Sequence, residues 1–302
     1  MTRGSDRRNV LAGLAVVGLG GCGPVPLSEA PKICVTPSDW ALDLSELERV
    51  RGGRIGFAAQ ELGCLNRVSW RSNERFVYCS TFKMYLAAAT LLRVQAGQEQ
   101  LDRMIPITRA DMINHAPVTE LAIGSSLTVE RMMQAIVEVS DNPAANLLLK
   151  ALGGIEAMQA FYRGIGDAST RVDRFEPEMN RLDGDKDTIT PFASTANIWR
   201  LFIDPASPLS QDSKTMLLGW MFASPTGADR LKAGVPSGWR VAHKTGTGGY
   251  GPTNDIGILY PPTGAPVIVA AYYHATSASS AAANEAVIAE ATRLALTTLG
   301  RT

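Results

Sequence analysis

Ser80 and Lys83 are the first residues of this sequence whose types and spacing suggest chemistry. Residues three positions apart lie side by side on a helix, and residues 84–92 are apolar and rich in good helix formers. A helix that begins near Ser80 places the amine beside the hydroxyl, and its N-terminus favours negative charge. A serine hydroxyl is a weak nucleophile unless a neighbouring base activates it. The pair predicts a serine nucleophile, although a helix-capping serine has the same spacing.

Three later segments carry the other groups that acyl transfer needs. Such a site combines a nucleophile, a base, an oxyanion hole, a leaving-group acid and substrate anchors. A lone Ser-x-x-Lys tetrapeptide is common by chance, so the ordered set carries the weight. The segments are Ser140-Asp141-Asn142, Glu176-Pro177-Glu178-Met179-Asn180 and Lys244-Thr245-Gly246.

In this order the motifs resemble those of class A serine β-lactamases, for which Ser-x-x-Lys, Ser-Asp-Asn and Lys-Thr-Gly are established signatures shared with penicillin-binding proteins. The resemblance extends from about Leu44 to the C-terminus and is nearest to the twin-arginine-exported penicillinases of Gram-negative bacteria. It implies hydrolysis of penicillins and cephalosporins through a serine acyl-enzyme, without a cofactor. The alternatives are a penicillin-binding D,D-peptidase or a non-hydrolysing β-lactam sensor. Glu176 with Asn180 argues against both, since neither alternative needs a deacylating glutamate.

The resemblance also implies catalytic roles. Ser80 is the nucleophile, and either Lys83 or Glu176, acting through a water molecule, accepts its proton. Ser140 relays a proton to the departing lactam nitrogen. Glu176 activates the deacylating water, which Asn180 helps to hold.

Substrate binding is assigned in the same way. Asn142 is expected to bind the acylamino group of the substrate and to steady Lys83. Gly246 allows the backbone to approach the substrate closely. The backbone N–H groups of Ser80 and Thr247 are expected to form the oxyanion hole. The residues expected to hold the substrate carboxylate are Lys244, Thr245 and Thr247.

Two positions differ from the commonest family pattern. Many relatives place an arginine on the strand after Lys-Thr-Gly, where this chain has Thr253 or Asn254. Arg230 matches an alternative arginine position and is assigned to the carboxylate site. His115 stands where relatives carry an aromatic gate at the mouth of the groove, and it is expected to stack on the substrate.

The segment 171–191 is long, charged and without periodicity, which is typical of a structured functional loop. Arg174 and Asp187 resemble the ion pair that closes this loop in the family. The stretch from Glu176 to Asp187 is two residues shorter than the usual pattern. The shorter far side is expected to leave room for bulky substrate side chains.

Strand-like segments at both chain ends surround a helical middle, which predicts an α+β fold with two lobes. One lobe is expected to be formed by 39–72 with 230–302. The other, 73–229, is expected to be all-helical and to include the 171–191 loop. The family resemblance implies that the first lobe holds a sheet of five antiparallel strands flanked by helices, and that the active site lies in the groove between the lobes.

The N-terminus resembles an export signal. Arg7 and Arg8 precede an apolar run over about 10–19, which is shorter than the roughly 20 residues that span a bilayer. Residues 1–22 resemble a twin-arginine signal with a lipoprotein box, Cys22 is the predicted lipidation site, and 23–38 form a tether. An ordinary cleaved signal with an incidental cysteine is the alternative. The expected location is periplasmic.

Composition and cysteines limit the partners. The 29 basic residues balance 29 acidic ones, so nothing indicates nucleic-acid binding, and a monomer is expected. Three scattered histidines argue against a metal site; His243 and His274 are expected to be structural.

Cys34 and Cys64 are a candidate disulfide. Cys79 immediately precedes the nucleophile and is expected to pack away from the cleft. The disulfide that some relatives form from this position cannot form here, because Thr247 and Gly248 stand where the partner cysteine would be.

Overall fold

The computed structural model describes residues 1, 39–63, 66–249, 251–276 and 279–302. The chain divides into a unit over Met1–Ala30 and a unit over Pro31–Thr302, and every element below lies in the second unit. The predicted signal and tether lie outside the described residues, as do Cys22, Cys34 and Cys64. No helix in the described part of the chain is long and apolar enough to cross a membrane.

Helices fill the middle of the chain and flank the sheet. The helices are α1 Ser45–Arg51, α2 Phe82–Gln95, α3 Val129–Glu138, α4 Asn142–Leu152, α5 Gly154–Gly164, α6 Pro191–Phe202, α7 Gln211–Ala223, α8 Leu231–Gly234 and α9 Ala281–Thr298.

Strands occur mainly near the two chain ends, as the sequence predicted. Two short pairs, β4 with β7 and β5 with β6, lie apart from the main sheet. The strands are β1 Asp39–Ala41, β2 Arg54–Glu61, β3 Arg67–Trp70, β4 Phe76–Val77, β5 Met104–Pro106, β6 Ser126–Thr128, β7 Thr188–Ile189, β8 Arg240–Thr247, β9 Pro252–Tyr260 and β10 Val267–His274.

The main sheet has the order β1-β3-β2-β10-β9-β8. The five strands from β3 to β8 are antiparallel, which confirms the predicted sheet. The sheet has a sixth strand as well, because β1 pairs in parallel with β3. Its three residues are all exposed, so they lack the apolar alternation by which a half-buried strand is recognised.

The sheet separates two hydrophobic clusters. Val241 belongs to the cluster beneath α9, and the next residue, Ala242, belongs to the cluster shared with the helices. This split follows from strand geometry, because successive side chains point to opposite faces. Strand β8 therefore lies between the two hydrophobic cores, and the helical lobe packs on the face that carries Ala242. The predicted lobe boundaries at 72/73 and 229/230 stay predictions.

Helix α2 is the centre of the helical lobe. Every residue from Phe82 to Leu91 is buried, as expected for a helix that is apolar on all sides. Helices α3, α4, α5 and α7 all contact it. Ser80 precedes this helix directly, so the nucleophile is attached to the most enclosed element of the lobe.

Local capping positions Ser140 at the turn between α3 and α4. Thr128 caps α3 by accepting a hydrogen bond from the Arg131 amide. Asp141 caps α4 through the Ala144 amide, and it also accepts hydrogen bonds from the amide and hydroxyl of Thr119. Asp141 thus has structural contacts, and Ser140 faces the cleft beside it.

Candidate active site

The nucleophile sits in one tight turn. Residues Cys79–Thr81 form a 3-10 turn that runs directly into α2, so Ser80 and Lys83 share a face as predicted. The Thr81 hydroxyl donates to the Tyr78 carbonyl at 2.8 Å. The amide of Asn254 donates to the carbonyls of Val77 (2.9 Å) and Tyr78 (3.2 Å). Asn254 therefore ties the turn to β9, at one of the two positions where relatives have an arginine.

Lys83 is fully buried and lies between three polar partners. Its Nζ is 2.7 Å from the Ser140 carbonyl oxygen and 3.1 Å from Glu176 Oε1. It also donates to Oδ1 of Asn142. Burial lowers the pKa of Lys83, and the charge of Glu176 opposes that shift. The site thus holds an amine whose proton is easier to remove than that of a solvated lysine.

The carboxylate of Glu176 contacts both the Lys83 amine and the Ser80 hydroxyl. Oε1 accepts a hydrogen bond from Ser80 Oγ at 3.3 Å, and the Asn180 amide donates to Oε2. Asn146, on α4, fixes the Glu176 backbone with hydrogen bonds of 3.0 and 2.8 Å. Sequence reasoning missed Asn146, because no motif marks it. Oδ1 of Asn180 is buried and has no partner among the described residues.

The loop that carries Glu176 is closed as the sequence predicted. Arg174 Nε lies 2.5 Å from Asp187 Oδ2. The other oxygen of Asp187 accepts from the amides of Asp173 (2.8 Å) and Arg174 (3.0 Å), and from the Tyr78 hydroxyl at 3.2 Å. Because Tyr78 precedes the nucleophile turn, Asp187 joins the loop to that turn.

Lys244 approaches the Ser140 hydroxyl from the side opposite to Lys83. Its Nζ is 3.1 Å from Ser140 Oγ, while Lys83 Nζ is 3.3 Å from that oxygen. Burial and the charge of Lys83 hold the pKa of Lys244 well below its usual value. The Ser140 hydroxyl therefore lies between two amines, where a proton can pass.

Arg230 reaches the end of β8. Its Nη2 donates to the Thr247 hydroxyl at 2.7 Å, and Nη1 donates to the carbonyls of Gly246 (3.0 Å) and Asn254 (2.9 Å). Glu285, on α9, forms an ion pair with Arg230 at 3.0 Å. Sequence reasoning missed Glu285, because tertiary packing alone brings it to an arginine 55 positions earlier.

These side chains surround one cavity of about 560 Å³. His115 lies exposed on its wall, with Nε2 2.8 Å from the Val139 carbonyl oxygen. Lys83, Glu176, Lys244 and Gly246 contact residues of the wall from beneath. The predicted site residues that line the cavity itself are Ser80, His115, Ser140, Asn142, Asn180, Arg230, Thr245 and Thr247.

Two glycines allow β8 and its following turn to pack against the nucleophile. A Cβ at Gly246 would lie 2.7 Å from the Tyr78 carbonyl oxygen. A Cβ at Gly248 would lie 2.5 Å from the Asn180 carbonyl oxygen and 3.3 Å from Cys79 Sγ. Cys79 is buried and free, as expected, and burial raises the pKa of its thiol.

A serine placed beside a buried amine and a carboxylate, with a second lysine and an arginine across the cleft, defines a serine acyl-transfer enzyme. A model of the beta-lactamase enzyme family matches residues 41–299. Beta-lactamase FAR-1 of Nocardia farcinica is 34% identical, over 98% of this chain and 96% of that protein. The carbapenem-hydrolyzing beta-lactamase KPC of Klebsiella oxytoca is 40% identical, over 85% of this chain and 87% of that protein.

Solved structures agree with these relatives. The reconstructed last common ancestor of Gram-negative class A beta-lactamases has a TM-score of 0.81 and 46% identity, over 85% of this chain and 97% of that one. A beta lactamase from Xanthomonas campestris has a TM-score of 0.81 and 41% identity, over 85% of this chain and 96% of that one. The chain therefore belongs to the β-lactamase enzyme family, and within it to class A.

Proposed function

We propose that this protein hydrolyses the β-lactam amide of penicillins and cephalosporins through an acyl-enzyme on Ser80, and so confers β-lactam resistance. One observation carries the proposal: the Glu176 carboxylate lies within 3.3 Å of Ser80 Oγ and 3.1 Å of Lys83 Nζ. A nucleophile, a buried amine and a carboxylate in contact supply both halves of an acyl transfer to water.

Acylation begins when Ser80 Oγ attacks the lactam carbonyl carbon. Either Lys83, whose lowered pKa favours the neutral amine, or Glu176 through a water molecule accepts the serine proton. As the carbon–nitrogen bond breaks, Ser140 gives a proton to the ring nitrogen and takes one from Lys83 or Lys244, whose Nζ atoms lie 3.3 and 3.1 Å from its Oγ. Backbone N–H groups of Ser80 and Thr247 stabilise the oxyanion, which is worth about 2.7–4 kcal/mol for each donor in related hydrolases.

Deacylation needs a water molecule beside the ester. Glu176 removes a proton from that water, and the water oxygen attacks the ester carbonyl carbon. The bond between that carbon and Ser80 Oγ then breaks, Ser80 Oγ takes up the proton from Glu176, and the opened product leaves. The buried Oδ1 of Asn180 lacks a protein partner within the described chain, so it can accept the second proton of the water in a hydrogen bond.

The substrate is held at both ends of the cleft. The ring carboxylate binds among Lys244, Thr245, Thr247 and Arg230, where positive charge and hydroxyl donors converge. The acylamino group binds Asn142. His115 stands exposed beside Asn142 on the same wall, and it stacks on the substrate as a gate.

The test is nitrocefin turnover combined with Glu176→Ala. The wild-type protein is expected to turn over many equivalents, whereas Glu176→Ala is expected to lose turnover by at least about 10³-fold and to keep a stable adduct on Ser80. Intact-protein mass spectrometry after incubation with benzylpenicillin detects that adduct. Glu178→Ala is the matched control, because Glu178 lines the cleft on the same loop without touching Ser80.

The same experiment separates the alternatives. A D,D-peptidase or a β-lactam sensor would give one stoichiometric burst with the wild-type protein. An unmodified mass for Glu176→Ala after incubation with penicillin would contradict the roles given to Ser80 and Glu176.

Export to the periplasm, with a lipid anchor at Cys22, is the localisation that the N-terminal sequence supports, and a monomer is the proposed state in solution. Arg7 and Arg8 before a short apolar run favour twin-arginine export. Replacing both arginines by lysine is expected to retain the chain in the cytoplasm. Cys22→Ser is expected to abolish incorporation of labelled palmitate, whereas equal labelling would contradict lipidation at Cys22.

A further inference from the structure

His243 and Asp255 form a buried pair that none of the catalytic steps uses. Both side chains are 0% exposed, and His243 Nδ1 lies 2.9 Å from each carboxylate oxygen of Asp255. His243 Nε2 is buried as well and has no hydrogen-bond partner in the described part of the chain. Burying such a pair costs desolvation free energy, which raises the question of what the pair holds in place.

Asp255 attaches a second segment to the sheet. Its Oδ2 accepts a hydrogen bond from the Leu231 amide at 3.2 Å. Leu231 ends the segment 226–231, whose residues Thr226, Gly227 and Arg230 line the cleft. The carboxylate of Asp255 therefore fixes the C-terminal end of a cleft wall from behind.

His243 supports the other end of that wall. Gly227 has a φ of +62°, and a Cβ on it would lie 3.2 Å from His243 Cε1 and 2.5 Å from Thr245 Cγ2. The Thr226 and Thr245 hydroxyl oxygens are 2.9 Å apart. The imidazole thus lies close behind Gly227 and leaves no room for a side chain there.

Arg230 lies between these two attachment points, and a shift of either one moves its guanidinium. Glu285 and the carbonyls of Gly246 and Asn254 orient the guanidinium itself, whereas the His243–Asp255 pair fixes the backbone that carries it. The two sets of contacts act on different parts of the same residue.

We propose that His243 and Asp255 are positioning residues for substrate binding, which hold the segment 226–231 so that Thr226 and Arg230 meet the substrate carboxylate. The inference rests on the proposed carboxylate role of Arg230. It assigns a function to a buried pair on the face of β8 opposite the catalytic Lys244, since successive strand residues point to opposite faces.

The test is a double-mutant cycle between His243→Leu and Arg230→Ala. His243→Leu is expected to raise KM for benzylpenicillin about tenfold with kcat changed less than about twofold, because uniform binding is lost. In the Arg230→Ala background it is expected to change KM less than about twofold. His243→Asn keeps a donor near the Nδ1 position and is expected to rescue KM. His274→Leu, at a half-buried histidine on β10, is the control for general destabilisation.

Two further measurements make the outcome decisive. The methyl ester of benzylpenicillin lacks the carboxylate, so His243→Leu is expected to leave its KM unchanged. Hydrogen exchange of the Leu231 amide is expected to accelerate in His243→Leu, and this readout does not depend on activity. If His243→Leu does not fold, Asp255→Asn replaces it in every measurement.

Each contrary result has its own meaning. Unchanged exchange at Leu231, or equal KM effects in both backgrounds, would overturn the positioning role. If Arg230→Ala alone leaves KM unchanged, the carboxylate role of Arg230 fails, and positioning through Arg230 fails with it. Accelerated exchange would then show that the pair holds the segment without serving substrate binding.

Discussion

The two walls of the cleft, the loop 171–191 and the segment 226–231, are held in different ways. The loop presents the negative charge of Glu176, and the side-chain contacts that close it meet on Asp187. The segment presents the positive charge of Arg230 and is attached separately at Gly227, at Leu231 and through Glu285. The loop thus relies mainly on one hub, Asp187, with Asn146 as a separate attachment of the Glu176 backbone, whereas the segment distributes its attachments. A single substitution should therefore damage the first wall more than the second.

The largest expected effect tests the hub. Asp187→Ala removes the partner of Arg174 and leaves two backbone amides without their acceptor. Breaking a buried pair in this way is expected to cost about 3–5 kcal/mol of unfolding free energy. Nitrocefin turnover is expected to fall at least about tenfold, because the loop no longer holds Glu176.

Urea denaturation measures the stability loss, and Asp183→Ala is the control. Asp183 is an exposed acid of the same loop that pairs with Lys186 at 2.8 Å and with Arg174 at 3.6 Å. Because this carboxylate is solvent-exposed in both pairs, its removal is expected to change stability by less than about 0.5 kcal/mol. A loss for Asp187→Ala no larger than for Asp183→Ala would contradict the hub.

The second prediction concerns the pKa values of Lys83 and Lys244, the two buried lysines of the cleft. Burial lowers the pKa of both Lys83 and Lys244, but only Lys83 is in contact with a carboxylate that opposes the shift. Glu176→Ala removes that carboxylate, so the pKa of Lys83 falls further below its usual 10.5. A neutral amine is populated above its pKa, and a lower pKa moves the onset of acylation to lower pH.

The acylation rate of Glu176→Ala is therefore expected to rise about tenfold per pH unit and to level off below pH 10.5. Stopped-flow measurement of acylation by nitrocefin follows this rise of the acylation rate with pH. The double variant with Lys83→Ala is expected to lack it. A flat profile for Glu176→Ala would exclude Lys83 as the base in that variant.

The smallest effect is expected at Glu285. Glu285→Gln removes a charge beside Arg230, while hydrogen bonds to Thr247, Gly246 and Asn254 still orient the guanidinium. The released positive charge is expected to lower KM for benzylpenicillin about two- to threefold. Glu290→Gln, on the same helix, is the control. A rise in KM of more than about threefold would show that the attachments are not independent.

The catalytic centre was predictable because its residues stand in short motifs. Ser80 and Lys83 are placed by helix geometry, and Ser140 by a capped turn. Glu285 and Asn146 carry no such local signal, since each reaches its partner only through tertiary packing. The parallel strand β1 was missed for a related reason: its pairing with β3 buries no side-chain pattern.

The shape of the cleft walls could not be predicted from the sequence for another reason. Gly227 and His243 look unremarkable in the sequence, and their proximity depends on a positive φ and on strand register. The role of His115 as a gate and the pairing of Cys34 with Cys64 stay predictions, the latter outside the described residues.

The burial of α2 from Phe82 to Leu91 has an evolutionary consequence. A stretch of helix without a solvent face tolerates few replacements, so selection by new drugs has little usable variation next to Ser80. Adaptive substitutions are then expected at the edges of the cleft, where they alter substrate access without disturbing the position of Ser80. Variants selected on successive antibiotics are therefore expected to accumulate in the two walls and near His115, and to leave the buried part of α2, Phe82 to Leu91, intact.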